Sequence, residues 1–188
     1  MSKKRVFIIH GWEGYPEEGW FPWLKKELEN KDFEVYVPQM PNPDEPQLNE
    51  WLNKLNEVVG EPDGQTFFVG HSLGCYTIAK YLENLDSELK IGGAVFVAGF
   101  SGRLNIPELE NFYKNPLNWD KIKTHTTNFI VIHSDNDPYV PLERGEELKE
   151  KLGAKLIIEK GMHHFSGEEG IFELSIALKS VLELAEEL

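Results

Sequence analysis

A serine flanked by glycines is the residue of this chain best placed to act as a nucleophile. The segment Gly70–Gly74 reads GHSLG, a complete G-x-S-x-G, and it lies between a short apolar run and a run of helical period. A sharp turn from strand to helix crowds the backbone, so both flanking positions need glycine. Ser72 is then left above the edge of the sheet at a helix N-terminus, where the dipole favours a developing anion. We predict that Ser72 is a nucleophile.

A serine hydroxyl needs a base to activate it, and the base needs an acid to orient it. In folds with this turn the acid and then the histidine follow the serine along the chain, each after a later strand. Asp135 and Asp137 follow one predicted strand, and His163 and His164 follow the next. Adjacent side chains point apart, so we expect one histidine to reach Ser72. The residues alone leave both members of each pair open.

Two backbone N–H groups are candidates for an oxyanion hole. One belongs to Leu73, directly after the nucleophile, and the other to Trp12, in the loop His10–Gly14 after the first predicted strand. If the second strand lies on one side of the first and the third on the other, the winding reverses between the first and third strands. Ligands bind at the carboxyl ends of strands at such a switch point. We therefore expect this loop and Ser72 to border one site.

Short apolar segments rich in Val, Ile and Phe alternate with segments of helical period along the chain. This alternation predicts an α/β domain with a doubly wound, mostly parallel, six-stranded sheet. The predicted strands are Arg5–His10, Phe33–Val37, Thr66–Val69, Gly93–Ala98, Asn128–His133 and Lys155–Glu159. The predicted helices are Trp20–Asn30, Gln47–Val59, Leu73–Leu85, Leu142–Leu152 and Ile171–Leu188.

Two segments interrupt the alternation. Pro38–Pro46 carries four prolines and is expected to be a surface loop. Gly99–Thr127 is a long connection that forms either a lid or pocket wall over the site, or a helical crossover with an aromatic core. Trp119 in this connection is accordingly a candidate pocket residue or a core residue, and His125 is expected to be a solvated loop residue. Trp12 and Tyr139 are the other candidate pocket residues.

Composition limits the classes of function. The 188 residues predict a single domain, 1–188, and the net charge of −13 makes nucleic acid and anionic membrane surfaces poor partners. The only cysteine, Cys75, is expected to be buried and excludes an internal disulfide and a multi-cysteine metal site. No motif for a cofactor or catalytic metal occurs, and no apolar run suggests a leader or membrane span. We expect a cytoplasmic protein without a cofactor.

The sequence resembles the small α/β-hydrolases of the serine hydrolase family typified by retinoblastoma-binding protein 9 and its bacterial relatives. The resemblance covers nearly the whole chain. The G-x-S-x-G turn at Gly70–Gly74, called a nucleophile elbow, is shared by many hydrolases. The segments Met40–Pro43 (MPNP) and Trp119–Lys123 (WDKIK) are far more specific. In that family the acid opens an Asp-x-x-hydrophobic-Pro turn and the base precedes a phenylalanine. The matching residues of this chain are Asp137 and His164.

The resemblance implies a minimal α/β-hydrolase fold without a large cap. It also implies a serine hydrolase that cleaves small to medium carboxylic esters, and amides as a second possibility, through an acyl-enzyme on Ser72. A hydrolase fold that serves as a protein-binding module with weak or vestigial activity is the alternative, although nothing in the sequence indicates a protein partner. The negative charge makes small neutral esters the better first substrates to test.

Overall fold

Six strands form one sheet in the computed structural model, which describes residues 3–186. Each predicted strand is present, with small differences at its ends. The four central strands are almost completely buried, as expected for apolar runs covered on both faces. The strands are β1 (Arg5–Ile9), β2 (Glu34–Tyr36), β3 (Thr66–His71), β4 (Gly93–Val97), β5 (Phe129–Ser134) and β6 (Lys155–Glu159).

Within residues 3–186, five α-helices and one 3-10 helix (Pro107–Tyr113) join the strands, and a sixth α-helix follows the last strand. The helices are α1 (Phe21–Glu29), α2 (Leu48–Val59), α3 (Leu73–Asn84), α4 (Trp119–His125), α5 (Leu142–Leu152) and α6 (Ser175–Glu186). None of the helices within residues 3–186 is long and apolar enough to span a membrane.

The last helix starts later than the sequence predicts. Ile171 belongs instead to a turn, because its N–H donates to the Ser166 carbonyl at 3.1 Å and the preceding Gly170 has a φ of 83°. The helix begins at Ser175, and the last two residues of the predicted segment lie outside the described residues.

All neighbouring strands pair in parallel, in the order β2-β1-β3-β4-β5-β6. β1 therefore pairs with β2 on one side and β3 on the other, which confirms the predicted reversal of winding. The loops after β1 and β3 leave the sheet side by side at its carboxyl edge. The fold thus brings the two proposed sources of oxyanion donors together.

Helices cover both faces of the sheet. One buried cluster joins residues of α2, α3 and α5 to one face, with Trp51, Tyr81 and Leu148 among its members. The other joins α1 and α6 to the opposite face through residues such as Leu24 and Val181. The sheet is consequently fixed on both sides, and its carboxyl edge is left to the loops.

The long connection 99–127 combines both forms that its sequence allows. The 3-10 helix buries Phe112, whose ring meets the Trp51 ring edge-on at 5.8 Å, and α4 crosses back toward the sheet. The expectation for His125 is wrong. This residue ends α4 and is buried, and its Nδ1–H donates to the Leu89 carbonyl at 2.8 Å, because α4 packs against the chain that leads into β4.

Candidate active site

The turn that carries Ser72 is a tight passage from β3 to α3. Ser72 has φ 52° and ψ −117°, a backbone conformation that costs a non-glycine residue about 1–3 kcal/mol. A Cβ on Gly74 would lie 2.1 Å from the Ile9 carbonyl oxygen, and one on Gly70 would lie 2.7 Å from the Cys75 nitrogen. Both glycines are therefore required by close approach of the backbone. The predicted elbow is confirmed, and Cys75 behind it is buried.

Neighbouring strands hold the elbow in place. The Ser72 N–H donates to the Val97 carbonyl of β4 at 2.9 Å, and the Ser72 carbonyl accepts from Cys75 at 3.0 Å. A Cβ on Gly11, in the loop after β1, would lie 3.1 Å from the Ser72 Cβ. The loop after β1 thus packs directly on the serine, and Gly11 leaves room for that contact.

Asp137 and His164 form a hydrogen-bonded pair beside the elbow. The His164 Nδ1 lies 2.8 Å from one carboxylate oxygen of Asp137. The other oxygen accepts the N–H groups of Tyr139 at 2.8 Å and Val140 at 2.9 Å. The Asp137 side chain is fully buried, and the His164 side chain is 13% exposed. The carboxylate fixes the tautomer and the plane of the ring, so that Nε2 is the free nitrogen.

The environment keeps Asp137 ionised. Burial of the carboxyl acts to raise its pKa, but the hydrogen bond and charge of His164 and the two N–H groups outweigh burial. The net pKa of Asp137 therefore lies below its ordinary value. A group in this state holds a negative charge next to an imidazole that would gain a positive one.

The other Asp–His pair has a different place. One Asp135 carboxylate oxygen accepts the Gly161 N–H at 2.8 Å and so ties the end of β5 to the loop after β6. His163 is exposed, with its N–H and Nδ1 on the Asn136 side chain at 2.8 and 3.2 Å. These residues brace the loop, and neither lines the cavity that contains Ser72.

The loop after β1 is held by buried His10 and by the proline-rich segment. Nδ1–H of His10 donates to the Gly11 carbonyl at 2.8 Å, and its Nε2 accepts the Met40 N–H at 3.0 Å. Burial lowers the pKa of His10, so the ring is neutral and can make both bonds. The Trp12 indole donates to the Asp44 carbonyl at 2.9 Å. The segment expected to be a plain loop therefore supports the loop beside Ser72.

The N–H groups of Trp12 and Leu73 remain available. Neither donates a hydrogen bond to any group among residues 3–186, although their neighbours in the same turns do. The sequence predicts that the loops carrying these two amides lie at the same edge of the sheet, and the pairing of β1 with β3 places the loops there.

A cavity of about 410 Å³ opens over Ser72 and His164. One wall is apolar and comes from the long connection 99–127 and from the loop after β5. It consists of Leu104, Ile106, Leu109 and Val140. The lining also includes Glu13, Glu18, Glu168 and Glu169. Burial raises the pKa of Glu18, while nearby His164 acts to lower it.

Two of the three predicted pocket residues line this cavity. Trp12 does, and so does Tyr139, whose ring is 65% exposed and lies edge-on to the His164 ring at 5.2 Å. The prediction for Trp119 is wrong. It begins α4, packs partly against the core, and borders a separate depression, with the Lys151 ammonium 5.8 Å from its ring. The helical crossover carries Trp119 away from Ser72, and the preceding residues of the connection form the wall instead.

Sequence reasoning did not identify the apolar wall or the four glutamates. The wall residues are spaced irregularly in a loop and a 3-10 helix, so no period marks them. The glutamates look like ordinary surface charge in a chain that has 32 acidic residues. In the part of the chain that the structure describes, no group of three or more His, Cys, Asp or Glu side chains is arranged to hold a metal ion.

The doubly wound parallel sheet, its helical layers and the strand–turn–helix around Ser72 define an α/β-hydrolase. The chain belongs to the serine hydrolase family, whose model, described as "Serine hydrolase", matches residues 6–182. It is 34% identical to the protein YdeN of Bacillus subtilis over 174 residues, which cover 92% of each chain. It is also 28% identical to the serine hydrolase RBBP9 of Rattus norvegicus, over 96% of this chain and 97% of that one.

The likeness extends to three dimensions. The crystal structure of the ydeN gene product from B. subtilis superposes with a TM-score of 0.91 at 32% identity, covering 97% of this chain and 99% of the other. The chain therefore shares its overall fold with that protein over nearly its whole length.

Proposed function

We propose that this protein hydrolyses small to medium carboxylic esters through a covalent acyl-enzyme on Ser72. The observation that carries the proposal is the 2.8 Å hydrogen bond between Asp137 and His164, because His164 lines the same cavity as Ser72. This pairing supports a nucleophile, a base and an acid in the chain order typical of this fold. The free amides of Trp12 and Leu73 support the proposal, because acyl transfer needs donors for an oxyanion.

The mechanism follows from these positions. His164 Nε2 takes the proton of the Ser72 hydroxyl while the oxygen attacks the ester carbonyl. The buried Asp137 carboxylate stabilises the imidazolium that forms, and the amides of Trp12 and Leu73 bind the tetrahedral oxyanion, each contributing about 3 kcal/mol. His164 then gives its proton to the leaving alkoxide, and the acyl group stays on Ser72. Water, deprotonated by His164, attacks the acyl-enzyme, and His164 returns the proton to the Ser72 oxygen as the bond to the acyl group breaks and the acid leaves.

The walls of the cavity favour particular substrates. The apolar wall fits a short to medium alkyl or aryl group, and the volume of about 410 Å³ suits a small molecule. The lining within residues 3–186 includes four glutamates and neither lysine nor arginine. We therefore propose that neutral esters are preferred to esters that carry a carboxylate, because like charges repel strongly in a partly enclosed site.

Replacement of the serine tests the proposed reaction. We expect Ser72→Ala to lower kcat for p-nitrophenyl butyrate by about a thousandfold or more, and to abolish labelling by a fluorophosphonate followed by intact mass. Ser87→Ala, which changes an exposed serine on another face, is the matched control. Hydrolysis at the wild-type rate by Ser72→Ala would exclude the mechanism. A wild-type protein inert to ester and probe would instead support a binding module.

A further inference from the structure

The loop that carries His164 has an unfavourable main-chain conformation. His163 and Phe165, on either side of it, have φ values of 48° and 57°. Residues other than glycine rarely adopt φ values in this range, and such a conformation persists only where surrounding contacts hold it. The direction in which the His164 ring leaves the loop consequently depends on the hydrogen bonds that hold the loop in this conformation.

One grip comes from Glu169, in the turn that follows. Its Oε2 accepts the His164 N–H at 2.9 Å, and also the N–H and the hydroxyl of Ser166, each at 3.0 Å. Hydrogen bonds to an ionised carboxylate are stronger than those between neutral groups. A single oxygen atom thus accepts hydrogen bonds from three donors of the loop that carries His164, and the His164 N–H is one of them.

The second grip comes from His71, at the end of β3. Its Nε2 lies 2.7 Å from the His164 carbonyl oxygen, which can only accept, so this nitrogen carries the hydrogen. His71 is 4% exposed, and its ring is surrounded by the rings of Trp20 and Phe21, both at 6.1 Å, and of His164 at 4.8 Å. The imidazole therefore has little freedom to turn away from the carbonyl.

The charge state of His71 suits this contact. Burial, together with the charge of His164, lowers the pKa of His71 to about 3. The ring of His71 accordingly stays neutral at neutral pH. It can donate to the carbonyl without placing a second positive charge beside the imidazolium that forms during catalysis.

We propose that His71 and Glu169 are positioning residues that hold the main chain of His164 from both sides and aim its ring at Ser72. This inference rests on the proposed function. It assigns to His71 a task beyond its place in the elbow: it is covalently next to Ser72 and hydrogen-bonded to His164. One residue thereby sets the approach of nucleophile to base, and a shift of about 1 Å between reacting groups can cost roughly 100-fold in rate.

Two substitutions of His71 separate the hydrogen bond from the side-chain volume. His71→Met fills the space without a donor, whereas in His71→Gln the amide nitrogen reaches about as far as Nε2 and can donate to the carbonyl. We expect His71→Met to lower kcat for p-nitrophenyl butyrate by roughly 10- to 100-fold with little change in KM. We expect His71→Gln to recover most of the lost kcat.

His125→Met is the matched control for a purely structural loss. His125 is also buried and also donates to a main-chain carbonyl, that of Leu89 at 2.8 Å, but it lies outside the cavity. This variant is expected to lower the Tm and leave kcat unchanged. On the other side of the loop, Glu169→Ala should lower kcat, and Glu173→Ala, an exposed neighbour, should not.

The outcomes separate this inference from the proposed function. A wild-type protein without ester hydrolysis or fluorophosphonate labelling overturns the proposed function. An active wild type whose kcat is retained in both His71→Met and Glu169→Ala overturns the positioning role alone. The same holds if His71→Gln is as impaired as His71→Met. If His71→Met does not fold, the decrease in kcat of folded Glu169→Ala decides the question.

Discussion

The turn that carries Ser72 and the loop that carries His164 hold their residues by different means. At the elbow the backbone itself leaves no room, because Cβ atoms on Gly70 and Gly74 would clash with neighbouring main chain. The loop that carries His164 is held instead by side chains from distant segments. These include His71 at the end of β3 and Asp137 in the loop after β5. A steric constraint is visible in the local sequence, whereas a network of side chains is not.

The largest expected effect is at the elbow. We expect Gly74→Ala to destabilise the protein by about 3 kcal/mol or more and to abolish hydrolysis, because the new methyl would lie 2.1 Å from the Ile9 carbonyl oxygen. Urea unfolding followed by circular dichroism measures the change. Gly64→Ala is the control, since its Cβ would meet nothing within 4 Å. Equal stability of the two variants would contradict the steric account of the elbow.

The next effect separates the two aspartates of the loop after β5, Asp135 and Asp137, which have one residue between them. Asp137→Asn should lower kcat by about a thousandfold or more, because it removes the charge that fixes the tautomer and stabilises the imidazolium. Asp135→Asn keeps an oxygen that can accept the Gly161 N–H, so we expect a change of about threefold or less. Steady-state kinetics with p-nitrophenyl butyrate give both values. A larger loss in Asp135→Asn would reassign the acid.

His71 joins the two regions, and it predicts how stability depends on pH. Its folded pKa of about 3 lies below the ordinary value of 6.5, so on acidification below pH 6.5 only the unfolded chain gains this proton. Stability is unaffected by His71 above that pH and falls by up to about 1.4 kcal/mol per pH unit between 6.5 and 3. Buried His10 and His133, whose pKa values are also lowered, add to the loss.

Urea unfolding at pH 7, 6 and 5 tests this dependence. His71→Gln should flatten the slope of unfolding free energy against pH by close to one proton, because glutamine does not titrate. Asp137, whose pKa is lowered, contributes stability that is lost only at more acidic pH. An identical slope for wild type and His71→Gln would contradict this account. It would show that His71 takes up its proton in the folded protein as readily as in the unfolded chain.

The smallest effect concerns the acidic side of the cavity. At low salt we expect kcat/KM for the neutral p-nitrophenyl butyrate to exceed that for p-nitrophenyl hemisuccinate by about tenfold, and the ratio to shrink as salt is added. Glu168→Gln should narrow the gap further. A ratio near one at every ionic strength would show that the glutamates of the loops do not influence selection.

The sequence predicted the elements near the elbow more completely than the surroundings of the base. Glycine spacing and period identified β3, Ser72 and α3. Asp135 or Asp137 and His163 or His164 stayed open on the residues alone, since both pairs satisfy the same chain order. Trp119 was misplaced because the residue pattern of the connection 99–127 does not say which part turns toward the site.

By itself, the sequence determined the fold class, and it predicted Ser72 as the nucleophile and the strand ends that carry its proposed partners, because these depend on local period, glycine spacing and chain order. The resemblance to the family chose Asp137 and His164, but only the tertiary structure shows the hydrogen bond between them, the residues that line the cavity and the contacts that hold the loop of His164. Those features depend on contacts between distant segments, such as the bond between His71 and His164, 93 residues apart. A through-space approach of this kind leaves no spacing in the sequence from which it can be read.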